Sequence, residues 1–334
     1  MSIEERLAAF EKLGKYLSAI DEVELDVLLQ KAREENPWFT RDSVTLALRG
    51  IGRYLDPGKM KKWVSAYGAN PHPGTIAVIM AGNIPMAGFH DFLTVLMSGH
   101  SIMAKLSSKD SVLLTHLSQK LIAIEPRFQN RIDLATRLKN FDAVIATGSD
   151  NSSRYFNYYF GKYPHVIRKN RTSCAVLSGS ETDDELRQLG GDVFSYFGLG
   201  CRNVSKIFVP RDFDPVRLVT AWNVYADIIH HSKYHNNYDY QKSILLVNKI
   251  PFYDSGFAIL HENEKLVSPI SVVYFERYEN RADLEARLRP LSDKIQCTVG
   301  SMLPDLVAFG QAQSPELWDY ADQVDTFRFL EELA

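Results

Sequence analysis

The sequence predicts an α/β chain with two sheet-bearing parts behind an N-terminal helical segment, and three observations predict it. After about residue 70, short apolar runs alternate with helical stretches, the pattern of a parallel sheet covered by helices on both faces. A second β-rich part begins near Ser173. Ahead of both, residues 1–70 keep a helical rhythm, with breaks at 36–40 ("NPWFT") and 55–59 ("LDPGK").

The opening "MSIEERLAAFEKLGKYL" reads as an amphipathic helix with acid residues in its first turn. "NPHPG" at 70–74 marks the boundary where the rhythm changes. Strands are expected at 75–80 ("TIAVIM"), 101–106 ("SIMAKL") and 142–148 ("DAVIATG"), with helices at 86–97, 111–124 and from about 151. In the second part, strands are expected at 174–179 ("CAVLSG"), 206–210 ("KIFVP"), 243–248 ("SILLVN"), 270–275 ("ISVVYF") and 295–300 ("IQCTVG"). A helix is expected over 182–197, and 230–240 reads as a loop. The expected division is 1–70 helical, 71–172 the first sheet domain, 173–300 the second, and 301–334 a C-terminal segment.

The 334 residues suffice for two domains. With 45% hydrophobic and 24% charged residues the composition is that of a soluble globular chain. A net charge of -3 gives no general attraction for nucleic acid or anionic lipid. The densest basic cluster, 59–62, reads as a solvated helix face. No stretch has the apolar length of a membrane span, and the N-terminus lacks the basic-then-apolar order of a signal peptide. The three cysteines, Cys174, Cys201 and Cys297, are odd in number and far apart. They read as reduced thiols, and a cytoplasmic location is expected.

Cys201 stands in "YFGLGCRNVSKIFVP" between glycines and an arginine. Gly198 or Gly200 should end the preceding helix, leaving Cys201 in a turn at a sheet's edge, where the Arg202 charge would favour the thiolate. That is a nucleophile's setting; free cysteine also serves as a small buried hydrophobe, and the loop alone leaves both readings open. Cys174 and Cys297 alternate within strands and read as packing. Asn83, in "MAGNIPM", follows a strand end, where ligands of open α/β sheets bind and where an amide could donate to an oxyanion. It is also ordinary turn chemistry. The next strand ends carry Lys105, with Ser107 and Ser108 after it, and Gly148-Ser149. Lys105 could reach a ribose or phosphate, and the amides beyond Gly148 suit a pyrophosphate. No GxGxxG or GxxxxGK is present. His231 and His235 have a metal-compatible spacing, but no cysteine or carboxylate completes a site in the segment read as a loop. No metal is expected.

Taken in order, four motifs resemble the aldehyde dehydrogenase superfamily: "GTIAVIMAGNIPM", "GHSIMAKLSS", "VIATGS" and "GLGCRNVSKIFVP". Within it the chain resembles LuxC-type fatty acyl-CoA reductases, which share Gly-Asn-x-Pro and Lys-Leu-Ser, and the C-terminal "FGQAQSPELWDYADQVDTFRFL" is similar to a LuxC-like pattern. The resemblance runs from about residue 71 to the end. It implies an aldehyde-dehydrogenase-like fold, with 71–172 as the cofactor-binding domain and 173–300 as the catalytic one. Cys201 would be the nucleophile and Asn83, with the Cys201 backbone amide, the oxyanion hole. Lys105 would hold the adenosine ribose and Gly148-Ser149 would lie beside the pyrophosphate.

Two departures sharpen this. The water-activating glutamate of hydrolytic members has no acidic counterpart in "HVIRKNRTSCAVLSG", so an acyl-cysteine should persist until a thiol or hydride arrives. The glutamate that contacts the nicotinamide ribose aligns loosely with Glu264. Where NAD-preferring members carry a glutamate, this chain has Ser108, followed by Lys109, which implies NADPH. The expected activity is acyl-CoA reduction to an aldehyde through an S-acyl cysteine. The alternatives are reduction of an acyl phosphate or acyl-carrier-protein thioester, or a non-catalytic nucleotide-binding partner protein. Homo-oligomers are common in the superfamily, and no interface is legible here.

Overall fold

The computed structural model describes residues 1–68, 72–148 and 150–333. They form two compact units, one of Met1–Asn170 with the chain from Glu316 onward, the other Arg171–Pro315.

The first unit begins with α1 (Ile3–Ser18), α2 (Glu22–Glu35), α3 (Arg41–Tyr54) and α4 (Pro57–Val64). Both breaks seen in the sequence are helix starts: Thr40 accepts the Ser43 N–H to cap α3, and Asp56 caps α4 with Pro57 in its first turn. Arg6 Nε donates to the Met97 carbonyl at 3.1 Å and the Tyr16 hydroxyl bonds His116 Nε2 at 2.7 Å. The N-terminal helices therefore lie over the helices of the first sheet.

That sheet comes from β1 (Thr75–Ile79), α5 (Phe89–Met97), β2 (Ser101–Lys105), α6 (Val112–Ile124), β3 (Ile132–Leu134), β4 (Ala143–Thr147), α7 (Asp150–Phe160) and β5 (His165–Arg168). Its order is β3-β2-β1-β4-β5, all parallel. Ile76, Ala77, Val78, Val144, Ile145 and Ala146 have no exposed surface, as strands covered on both faces require. The chain leaves β1 toward β2 and β3 on one side, then crosses to β4 on the other. Between the carboxyl ends of β1 and β4 lies the switch point at which such sheets bind ligands.

The second unit contains β6 (Thr172–Val176), α8 (Asp183–Phe194), β7 (Val204–Pro210), α9 (Val216–Ala221), α10 (Ser232–Val247), β8 (Tyr253–Asp254), β9 (Ile259–Glu262), β10 (Val272–Tyr278), α11 (Arg281–Leu288) and β11 (Ile295–Gly300). The sheet order is β11-β6-β7-β10-β9-β8, parallel except where β8 meets β9. Its main core gathers Leu186, Leu189, Ile207, Trp222, Phe257 and Phe275.

Two expectations are corrected here. The expected strand 243–248 is the end of α10, and the expected loop 230–240 is mostly its beginning. His231 caps that helix by accepting the Tyr234 N–H, and Tyr234, Tyr238 and Leu245 are its buried face. The apolar run that suggested a strand is partly exposed, with Leu246 58% and Val247 81% accessible. The C-terminal segment also divides. Residues 301–315 stay with the second unit, whereas the chain from Glu316, including α12 (Thr326–Glu331), returns to the first. Polar contacts hold it there: Trp63 Nε1 donates to the Tyr320 hydroxyl, Lys59 pairs with Glu316 at 2.7 Å, and His100 Nε2 meets the Leu330 carbonyl.

Candidate functional site

In the first unit the sequence-predicted residues cluster at adjacent strand ends. Ile79 is in register with Lys105 on β2 and with Ala146 on β4. The loop after β1, the tip of β2 and Gly148 after β4 thus share one edge. Asn83, Lys105 and Ser108 are exposed, and Gly148 is half-buried. Ser149 lies outside the described residues.

The loop that carries Asn83 is fastened on both flanks. Met80 N–H donates to the Lys105 carbonyl at 3.1 Å. Asn36, buried at the end of α2, donates from Nδ2 to the Gly82 carbonyl at 3.2 Å. Gly82 rests on Ser107 so closely that a Cβ there would come within 2.7 Å of the serine Cβ; only glycine allows this approach. Ser107 Oγ also accepts the Lys109 N–H at 3.2 Å, so Ser107 shapes the turn, whereas Lys105 and Ser108 reach solvent. Met86 N–H donates to Asp110 Oδ2 at 2.6 Å. Burial pushes the Asp110 carboxyl up to about 7, opposed by that bond and reinforced by Glu35.

In the second unit Cys201 is exposed, in the turn before β7. β7 is an inner strand, so the thiol sits at a strand end and not along an edge strand. The glycine expectation needs correction: α8 ends at Phe194, and the chain then passes through Tyr196, Phe197 and Gly198, all at positive φ (51°, 59° and 76°). For the two aromatic residues the left-handed conformation costs on the order of 1–2 kcal/mol each, and such strain persists only where surroundings impose it. Asn203 imposes it here. This residue, 2% exposed, donates from Nδ2 to the carbonyls of Asp192, Val193 and Ser195 and accepts the Gly200 N–H at 2.8 Å. It therefore caps α8 and pins both sides of the turn. Phe197 packs against the His231 ring, tilted by 41° with centroids 4.5 Å apart, and Ser173 Oγ donates to the Cys201 carbonyl at 3.0 Å. Arg202 reaches the Ala312 carbonyl at 3.5 Å.

The other thiols follow the packing reading. Cys174 has no exposed surface, and burial pushes it up to about 12. Cys297 is half-buried against Ser173 Oγ at 3.1 Å. The first carboxylate after the acid-free stretch, Glu181, is 4% exposed and accepts the Gly179 N–H at 2.9 Å along with the Ser178 N–H and hydroxyl. It follows the carboxyl end of β6, whereas Cys201 is level with the amino end of that strand at Ser173.

Glu264 is exposed, in a turn after β9 built on Asn263, whose Oδ1 accepts the Lys265 N–H at 2.9 Å. Sequence reasoning missed what holds this turn. Lys206 in β7, with no exposed surface, donates to the Asn263 carbonyl and pairs with Glu276, which also pairs with Arg287. Burial pulls the Lys206 ammonium down, opposed by Glu276 and Glu264. A lysine inside an apolar strand was the available signal. The histidine pair does have a carboxylate beside it that the sequence reading passed over, Asp239, 3.4 Å from His235 on the surface of α10. Among the described residues, however, no group of three His, Cys, Asp or Glu side chains could hold a metal ion. No described helix is long and apolar enough to cross a membrane.

No family model matches the sequence, and no curated protein is similar to it. Solved structures are similar in fold. Aldehyde dehydrogenase 21 from Physcomitrella patens, in complex with its product succinate, superposes with a TM-score of 0.65 at 12% identity, over 91% of this chain and 75% of that one. Aldehyde dehydrogenase C from Pseudomonas syringae, with NAD+ and octanal, gives 0.65 at 10% identity over 91% and 73%. NADP-dependent glyceraldehyde-3-phosphate dehydrogenase from Bacillus halodurans, with NADP, gives 0.62 at 13% over 90% and 74%. The chain has the aldehyde-dehydrogenase-like fold, a parallel-sheet Rossmann-like domain followed by a second α/β domain.

Proposed function

We propose that the chain is an NADPH-dependent acyl-CoA reductase that makes a fatty aldehyde through an S-acyl intermediate on Cys201. The observation that carries this reading is the exposed thiol on a strained turn whose two sides are tied down by one buried asparagine. In this reading the Cys201 thiolate attacks the thioester carbonyl and CoA leaves as its thiolate, giving the acyl-enzyme. The Asn83 amide donates to the carbonyl oxygen as charge builds on it, with the Cys201 backbone N–H as second donor; one such donor typically supplies about 3 kcal/mol. When bound, NADPH supplies the hydride that reduces the acyl group to the aldehyde level. The resulting thiohemiacetal then collapses, releasing aldehyde and restoring the thiolate.

The residues present fit the dinucleotide. Lys105 and Ser108 are exposed at the tip of β2 and Gly148 stands before α7, at the switch point of a parallel sheet. Lys105 would hold the adenosine ribose, Gly148 and Ser149 the pyrophosphate, and Glu264 the nicotinamide ribose; Ser107 supports the loop. The engagement of Glu181 by its own turn favours reduction over hydrolysis, since it leaves no carboxylate next to the acid-free stretch committed to activating water. The test is intact-mass spectrometry after mixing with a long-chain acyl-CoA and no reductant. An acyl adduct that maps to Cys201 and vanishes in Cys201→Ala is expected; a wild-type protein that gains no adduct, or gains it elsewhere, refutes the reading.

A further inference from the structure

We propose that Asp110 is the positioning residue of the loop between β1 and α5, its buried carboxylate clamping the Met86 amide and so setting how Asn83 is presented. The consequence for turnover rests on the reading of Asn83 as an oxyanion donor; the clamp itself does not.

Asn83 lies midway between two fixed points. Three residues before it, Met80 is bonded to Lys105; three after it, Met86 donates to Asp110 Oδ2 at 2.6 Å. Met86 has a φ of +55°, a left-handed conformation that a side-chain-bearing residue holds only when its surroundings require it. Asp110 also underlies the loop from the other side, since a Cβ on Gly82 would sit 3.2 Å from the Asp110 Cβ. The carboxylate is 6% exposed, and its Oδ1 has no hydrogen-bond partner. A buried acceptor left unpaired is costly, so the group has a poor environment for full charge and a single strong bond to the loop.

The charged groups around Asp110 are few. Glu35 acts on it from α2 and is itself engaged by the Ser111 and Val112 amides at 2.8 and 3.1 Å. Lys109, on its own turn, is exposed. Burial and Glu35 together bring the Asp110 carboxyl to about 7. The ionised form is the stronger acceptor for the Met86 N–H, so the clamp tightens as pH rises through neutrality and loosens below it.

The experiment follows the Met86 amide by NMR in the full-length protein from roughly pH 5.5 to 8.5, bracketing the neutral range, and measures kcat and KM over the same range. In wild type the Met86 resonance should titrate with a midpoint near 7, and in Asp110→Asn it should stay flat. Glu35→Gln should lower the midpoint, a control that does not depend on how well Asp110→Asn folds. Turnover in Asp110→Asn should fall, by as much as about 100-fold if Asn83 is displaced by about 1 Å, without the acid limb and with an unchanged KM for NADPH. A Met86 resonance that does not move with pH, or an unchanged pH profile in Asp110→Asn, overturns the proposal. A titrating Met86 amide together with full activity in Asn83→Ala would instead uphold the clamp and refute the role given to Asn83.

Discussion

Replacing Asn203 by alanine should weaken the second unit and soften the Cys201 turn together. The deletion leaves the Gly200 N–H and the carbonyls of Asp192 and Ser195 without their partner, and the more distant Val193 carbonyl as well. An unsatisfied buried polar group costs about 1–3 kcal/mol. With water recovering part of this in the vacated space, the net loss is about 3–4 kcal/mol. For a cooperative unit of about 145 residues that corresponds to a fall in Tm of about 10 °C. Asn203→Asp should be worse than alanine, because it points a carboxylate at three carbonyl oxygens and buries its charge. The assay pairs differential scanning calorimetry with the iodoacetamide rate at Cys201. The strain stored at Tyr196 and Phe197 should relax, changing that rate severalfold. If Asn203→Ala melts within a degree of wild type, or Asn203→Asp is the milder change, the account of this turn is wrong.

Two further outcomes are expected. Arg168 is 5% exposed and makes two bonds to Asp91, with a third to Thr326 on α12 at 2.9 Å. Arg168→Met strands the buried Asp91 carboxylate and should cost about 3–5 kcal/mol in urea unfolding, most of it recovered in an Arg168→Met, Asp91→Leu double variant; a double variant no more stable than the single one sinks this. Ser108→Glu places a carboxylate where a 2′-phosphate would lie in the proposed reading, and should shift kcat/KM about tenfold from NADPH toward NADH. An unaltered NADPH/NADH ratio would remove Ser108 from the cofactor site.

The three inner strands of the first sheet were legible because each is local evidence in itself: "IAVI" in β1 and "AVIA" in β4 are unbroken apolar runs, as burial on both faces demands. The outer β3 and β5, three and four residues long with exposed positions, were not expected. The breaks at 36–40 and 55–59 were legible for the same local reason, since caps are chosen by the residues that make them. β8 and β9 were missed because they are two and four residues long, too short for a period to declare itself. The run 243–248 misled because apolar content was read without its neighbours; in the turns before it, His231, Tyr234 and Tyr238 fix a helix that carries through it.

As candidate site residues, sequence alone singled out Cys201, Asn83 and Lys105, because glycine, proline and polar residues at strand ends announce themselves within a few positions. What only the tertiary structure decided is what holds them. Asp110 reaches Met86, Asn36 reaches Gly82, Lys206 reaches Asn263, and the chain after Glu316 turns back to the first unit. Those partners are brought together by chain crossings that no local pattern encodes, and burial then gives each polar contact its energetic weight. A sequence names the groups that can react; the fold decides which of them are held still.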